Sequence, residues 1–249
     1  VARRTKQEAE ATRSRLLDTA ERLFSERGVS RTSLADIADV AGVTRGAIYW
    51  HFRNKADLFD AMMSRVTLPM EEMAQRAADQ GLDDPLAFVR DCAINVLMRT
   101  ATDPQCQRVF EIVCHKCEYV DEMEALKARH IESRKQCLGS IEHGIANAMA
   151  RGLLPSRLEP RRVAVGLSAL IDGLINNWLL DPAYHSLEED AARVIDIYLA
   201  GLGGASQSAI VPAATRATPR KAVARVTPRK AVARVSPRKA AARSSRRAA

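Results

Sequence analysis

The chain has 249 residues, is 47% hydrophobic, and carries 38 Lys and Arg against 30 Asp and Glu, for a net charge of +8. That length holds one small domain and one larger one, and the apolar share supplies a real core. No uninterrupted run of eighteen apolar residues is present, and the start, VARRTKQEAEATR, has no apolar signal segment, so the expectation is a cytoplasmic protein without a membrane partner.

The charge is unevenly spread. Residues 212–249 hold 12 basic residues and no acidic ones, residues 1–55 hold 11 basic against 7 acidic, and residues 56–211 hold 15 basic against 23 acidic. Basic ends around an acidic body are the pattern of a chain whose ends meet DNA. The five cysteines are Cys92, Cys106, Cys114, Cys117 and Cys137. An odd count argues against a disulfide framework in the cytosol. Cys114, His115 and Cys117, with His130, Cys137 and His143 downstream, invite a metal reading, but no second pair at a ligand spacing is present. Structural or pocket-lining thiols are the stronger reading, with a metal site or a redox sensor as alternatives.

Residues 1–10 read as a flexible basic arm whose Arg3, Arg4 and Lys6 suit phosphate or a minor groove. A first helix is predicted from about Thr12 to Arg27, with Leu16, Leu17, Ala20, Leu23 and Phe24 on its apolar face and Gly28 as its stop. In the stretch TSLADIADVAGVTRGAIYWHFRNK, Ser33 and Asp36 are placed as a capping box. Leu34, Ile37, Ala38 and Ala41 recur at helical spacing, Gly42 suits a positive φ, and Thr44 is an N-cap for a second helix over Arg45–Phe52. This is a helix-turn-helix, spanning residues 11–56 with the first helix. A second helix of this kind enters the major groove with its first turn on the base edges. Arg45 is the candidate reader of guanine, Thr44 a phosphate contact, and Tyr49 a contact for thymine methyl or phosphate. His51 reads as a phosphate contact and Lys55 as another. Phe52 reads as core, and Trp50 is balanced between core and surface.

The run RLLDTAERLFSERGVSRTSLADIADVAGVTRGAIYWHFRNKADLF resembles the N-terminal domain of the tetracycline-repressor (TetR) family, closest to its AcrR-like multidrug-efflux repressors. The resemblance covers about forty residues densely. It implies that Thr44, Arg45, Tyr49, His51 and Lys55 fall on DNA-contacting positions, with Thr32 and Ser33 at the start of the helix that crosses the backbone. It also implies that the helix after Lys55 links head to body.

That fourth helix is predicted to reach about Val66, with Pro69 kinking or breaking it before Met70–Ala78. Further helices are expected over Asp84–Thr100, Asp103–Glu118, Asp121–Arg151, Glu159–Leu180 and Glu188–Leu202. FEIVCHKCEYV again resembles the efflux-repressor subgroup. Small residues Gly166, Ser168, Ala169 and Gly173 allow close helix approach, so the last two helices read as a two-fold interface or as monomer core. A single helix-turn-helix reads a short half-site, which favours a homodimer.

The fold expected is therefore all-α: a three-helix helix-turn-helix domain, a helical-bundle ligand-binding and dimerisation domain over residues 57–204, and a disordered basic repeat tail over 205–249. Candidate pocket residues are Phe88, Cys92, Phe110, Cys114, Cys117 and Trp178. The tail repeats TPRKAVARV from Thr218, TPRKAVARV from Thr227 and SPRKAAARS from Ser236. Proline and like charge oppose folding there. The unit resembles linker-histone-like tails, and Arg220, Lys221, Arg229, Lys230, Arg238 and Lys239 would meet DNA non-specifically.

The chain lacks a nucleophile–base pattern and a glycine-rich nucleotide loop, so neither an enzyme nor a cofactor is expected. The expected function is a ligand-responsive dimeric repressor of a multidrug-efflux operon. A small hydrophobic or cationic effector would release it from double-stranded operator DNA. The alternative is an architectural, nucleoid-associated DNA binder driven by the tail.

Overall fold

Short capping sequences set the helices of this chain one after another. The structure, a computed structural model, describes residues 2–77, 81–118 and 124–204. The proposed tail contacts from Arg220 to Lys239 lie outside the described residues, as do the side chains of Arg3 and Arg4. All regular structure among the described residues is helical.

Helix α1 (Ala2–Arg27) buries Leu16, Leu17, Ala20, Leu23 and Phe24 completely and ends at Gly28, which adopts φ 83°. It begins ten residues before the expected start at Thr12, so the arm over residues 1–10 is helical from Ala2. The reason is local: Ala, Arg, Lys, Gln and Glu are good helix formers, and no glycine or proline interrupts them. Helix α2 (Leu34–Val40) opens with the Ser33–Asp36 capping box. Gly42, at φ 67°, turns the chain into α3 (Arg45–His51), where the Thr44 hydroxyl accepts the Ala47 amide at 3.2 Å. The Asn54 side chain caps α4 (Lys55–Arg76) by accepting the Asp57 amide at 2.8 Å.

Of the kink or break expected at Pro69, the break does not occur, and α4 runs through the proline. Pro69 is exposed, so its ring displaces no packed neighbour. Asp84 caps α5 (Pro85–Thr102) and Asp103 caps α6 (Pro104–Glu111), each with proline at the first helical position, where its missing N–H is harmless. The single helix expected over Asp103–Glu118 is instead α6 followed by a π-helical turn, Ile112–Lys116. Helices α7 (Glu124–Ala150), α8 (Pro160–Leu180) and α9 (Leu187–Gly204) complete the body.

Two apolar clusters form. One unites α1–α4 with Cys106, Val109, Ile112 and Leu126, and the other lies within α5, α7, α8 and α9. The head is thus packed directly onto α6 and the π turn. Polar ties reinforce the seam. The buried Glu21 accepts from Arg108 at 2.7 Å and from Gln105 at 3.1 Å, and the Val29 amide donates to the Lys116 carbonyl at 3.0 Å.

Helix α8 is long and apolar enough, by length and composition, to cross a membrane. It carries Asp172 in its middle, ion-paired with Arg134 of α7, and packs against α7, α5 and α9. A core helix passes the same length test. Gly166, read from sequence as a site of close helix approach, serves packing within the chain: a side chain there would run into the Tyr198 hydroxyl, which donates to the Val163 carbonyl at 2.8 Å.

Candidate functional site

Helix α3 turns Ile48 into the core and leaves the opposite face bare. On that face lie Arg45, Gly46, Tyr49 (58% exposed) and Trp50 (72% exposed). A short helix with a basic, aromatic and sterically open outer face has the dimensions and chemistry of a groove reader. Thr44 is exposed at the N-cap, beside the N-terminal amides of the helix, of which it accepts that of Ala47. Such amides and the helix dipole favour a phosphate. Ser33 holds the same position on α2, its hydroxyl donating to the Asp36 carboxylate at 2.6 Å. The hydrogen bonds from Ser33 hold the Asp36 carboxyl below its ordinary range.

His51 is half-buried, with its ring edge-on to Trp50 at 4.6 Å. Burial, with a smaller contribution from the Arg13 charge, lowers its pKa.

Two of the residues expected on DNA are turned inward. Thr32 is 1% exposed, and its hydroxyl donates to the Gly28 carbonyl at 2.9 Å, closing the end of α1. Lys55 is 9% exposed, and its Nζ donates to the Val29 carbonyl at 3.1 Å. A buried ammonium requires such a partner, so its side chain acts as a strut beneath the helix-turn-helix. Lys55→Met is accordingly expected to lower the stability of the folded chain by about 1–3 kcal/mol, read from the urea midpoint. A salt slope of DNA binding reduced by about one unit, with stability intact, would instead return Lys55 to the phosphate.

The exposed Trp50 and the Arg53 guanidinium, 83% exposed and 3.4 Å from Asp57, add to the surface around α3. Trp50 gives little signal in sequence, because an aromatic beside Phe52 reads equally as core.

In the body, a cavity of about 800 Å³ lies among α4, α5, α6 with the π turn, α7 and α8. Of the six expected pocket residues, Cys92, Phe110 and Cys114 line it and three do not. The Phe88 ring instead stacks under the Arg76 guanidinium at 5.5 Å, and Trp178 packs against the body core. Cys117 packs against the head cluster, because the chain leaves the π turn there in extended geometry (φ −114°, ψ 117°).

Sequence reasoning missed the share of α4, including Met70, Glu71 and Met73, and that of α7, including Ser133, Cys137 and Ile141. A stripe at Met63, Thr67, Met70 and Ala74 was legible as helical spacing, but only to a reader who let the helix pass Pro69. Burial pushes the Cys92 thiol up to about 11 and raises Cys114 and Cys137 as well. These thiols are protonated and act as apolar wall. Among the described residues, no three His, Cys, Asp or Glu side chains gather closely enough to hold a metal ion.

Comparison with known proteins agrees with this division into head and body. Residues 16–62 match the profile of bacterial regulatory proteins of the tetR family, and residues 84–203 match the C-terminal region of MAATS-type transcriptional repressors. The HTH-type transcriptional regulator AcrR of Shigella flexneri is 42% identical over 204 residues, covering 80% of this chain and 93% of AcrR. NalD, the secondary repressor of the MexAB-OprM multidrug efflux pump in Pseudomonas aeruginosa, superposes with a TM-score of 0.73 at 36% identity, over 80% of this chain and all of NalD. SmeT, the repressor of the Stenotrophomonas maltophilia multidrug efflux pump SmeDEF, superposes in its triclosan complex with a TM-score of 0.72 at 29% identity, over 82% of this chain and 96% of SmeT. Matched to such relatives over nearly their whole length, the chain belongs to the TetR family of bacterial transcriptional regulators.

Proposed function

We propose that this chain is a ligand-responsive, dimeric transcriptional repressor of multidrug-efflux genes. As a TetR-family regulator it is not an enzyme, and it works in the cytoplasm on double-stranded operator DNA. The observation that carries this reading is one piece of backbone shared by the cavity and the head. In the π turn, Val113 and Cys114 line the cavity, while Ile112 packs in the head cluster and the Lys116 carbonyl holds the Val29 amide. A guest that displaces the wall therefore moves the seat of the helix-turn-helix. The continuous α4 carries the same motion, since it runs from the cavity wall to Lys55.

Arg45 and Tyr49 are the proposed base readers. Ser33, Thr44 and His51 are the proposed phosphate contacts, with Trp50 joining the surface. Two such heads fit one operator only when their α3 helices are spaced for successive major grooves, roughly 34 Å apart. The proposed dimer interface is the outer face of α8, the α8–α9 loop and α9, where Val165, Leu180, Tyr184 and Ile197 are exposed. Effector binding favours the spacing that DNA rejects. Small hydrophobic or cationic compounds are the proposed effectors.

The basic repeats favour a second contribution. Residues 205–249, read as a linker-histone-like tail, add phosphate contacts that raise affinity without reading sequence. If that contribution were the whole function, the chain would be an architectural, nucleoid-associated protein.

One experiment tests both. The full chain and a chain ending at residue 211 are titrated on the DNA upstream of the gene itself, with and without a panel of lipophilic drugs. The repressor reading expects one palindrome bound by both chains and released by a drug, with the shorter chain showing lower affinity and a smaller salt slope. Binding indifferent to sequence and to every drug, and lost with the tail, would overturn it in favour of the architectural reading.

A further inference from the structure

We propose that a second cleft, where α1 and the turn after α3 face α4 and α7, binds small organic carboxylates, and that the Arg13 guanidinium holds the carboxylate group. The cleft encloses about 430 Å³. Its floor is one stripe of α4, including Asp57, Asp60, Ala61, Ser64 and Leu68, residues spaced three and four apart that share a helix face. Arg13 and the turn from His51 to Arg53 bound it on the head side, and Arg129 of α7 on the body side. The ion pair of Asp60 with Arg129, at 2.8 Å, lines both this cleft and the body cavity, and so stands between the two spaces.

The lining carries the guanidiniums of Arg13, Arg53, Arg65 and Arg129 against the carboxylates of Asp57 and Asp60. Three of these guanidiniums are matched. Arg129 holds Asp60, Arg53 lies 3.4 Å from Asp57, and Arg65 holds Asp18 at 2.6 Å and the Ser14 hydroxyl at 2.7 Å. Arg13 differs. It is half-buried, and among the described residues no carboxylate is paired with it. Its guanidinium lies over the Phe52 ring, 5.2 Å from the centroid. The neighbouring His51 brings no negative charge: burial first, and then the Arg13 charge, lowers its pKa. The cleft is therefore net positive, and the surplus sits on Arg13.

A guanidinium laid on an aromatic face keeps its N–H donors in its own plane, where two of them match the two oxygens of a carboxylate. Half-burial weakens the screening of that pair by salt. Ala61 and Leu68, the latter 50% exposed, give the rest of the guest an apolar surface. A neutral guest forgoes the charge-assisted bonds, and an amine meets repulsion. The concave shape and the half-burial of Arg13 favour a small guest over the convex backbone of a duplex.

The test uses the purified full-length protein with isotope-labelled histidine rings and two probes of nearly equal size, naphthoate and the neutral naphthamide. His51 lines the cleft and His130 the body cavity, so each space has its own reporter in the NMR spectrum. The expected result is a saturable shift of the His51 signal, with naphthoate binding about tenfold more tightly than naphthamide. Arg13→Gln should remove that preference with the His130 signal in place, which shows the fold intact. Arg13→Lys keeps the charge and loses the fork, and should leave a preference of about threefold. If Arg13→Gln disturbs the His130 signal, Arg13→Lys decides, and an undiminished preference there would overturn the site. A His51 signal unmoved by naphthoate, equal affinity for the two probes, or a preference that survives Arg13→Gln would overturn it as well. A shift of His130 alone would assign the carboxylate to the body cavity instead. Weaker operator binding by Arg13→Gln, with neither probe affected, would make Arg13 a DNA-phosphate contact and overturn the small-molecule site.

Discussion

A chain carrying Ile197→Asp is expected to run as a 27.4 kDa monomer and to fail to hold an operator that the parent saturates. Ile197 is 72% exposed on α9, and Val165 and Leu180 of α8 and Tyr184 of the following loop are exposed as well. Covering such a side chain contributes about 1.5–3 kcal/mol. A two-fold interface repeats every gain and every loss. Aspartate removes that contribution twice and places two carboxylates in a closing apolar seam, where an unpaired charge costs several kcal/mol.

The operator effect follows from the dimer. One head contacts one half-site, so separating the heads forfeits the second set of contacts, a loss of about 100-fold or more at working concentrations. Light scattering after size exclusion reads the mass, and a fluorescence-anisotropy titration reads the DNA. The urea midpoint of the isolated chain should stay unchanged, because Ile197 is not part of the monomer core. A variant that remains a dimer would place the interface elsewhere.

Arg45→Ala is expected to erase discrimination at one base pair of each half-site while leaving random DNA nearly untouched. Arg45 is the first residue of α3, exposed and directly after the Thr44 cap. A guanidinium there presents two parallel donors to the O6 and N7 acceptors of guanine, and such a pair is worth about 1–3 kcal/mol of discrimination. In a dimer the loss occurs twice. The measurement is a titration on the operator, on an operator mutated at each position in turn, and on random duplex. The expected pattern is a selective drop on the operator and indifference to substitution at one position. An equal loss on operator and random DNA would make Arg45 a phosphate contact.

The helix-turn-helix was legible in sequence because its determinants are local. The Ser33–Asp36 box, Gly42 and the Thr44 cap each act within a few residues, and each occupies its expected place. The cores of α1 and α2 were legible for the same reason, from spacing alone. The start of α1 was misplaced because apolar periodicity begins only near Thr12, whereas helix propensity extends back to Ala2. Pro69 misled for a related reason. Proline removes one hydrogen bond and crowds one turn, but α4 is held from both sides by packing, including Met62 and Val66 before it and Ala74 after it.

The candidate sites divide along the same line. Sequence by itself determined that α3 is a short helix with a polar, aromatic outer face headed by Thr44 and Arg45, since a cap and the first turn behind it involve only neighbours in the chain. Only the tertiary structure decided that Lys55 points inward, because its acceptor, the Val29 carbonyl, lies close only once α1 and its turn have packed against α4. Only the tertiary structure drew Glu71, Ser133 and Phe110, from three different helices, into one cavity wall. Caps and periodicity are set by interactions a few residues long, and they fix where a helix lies in the chain. Which of its side chains meet solvent, core or cavity depends on partners tens of residues away, and that choice is made when the helices pack.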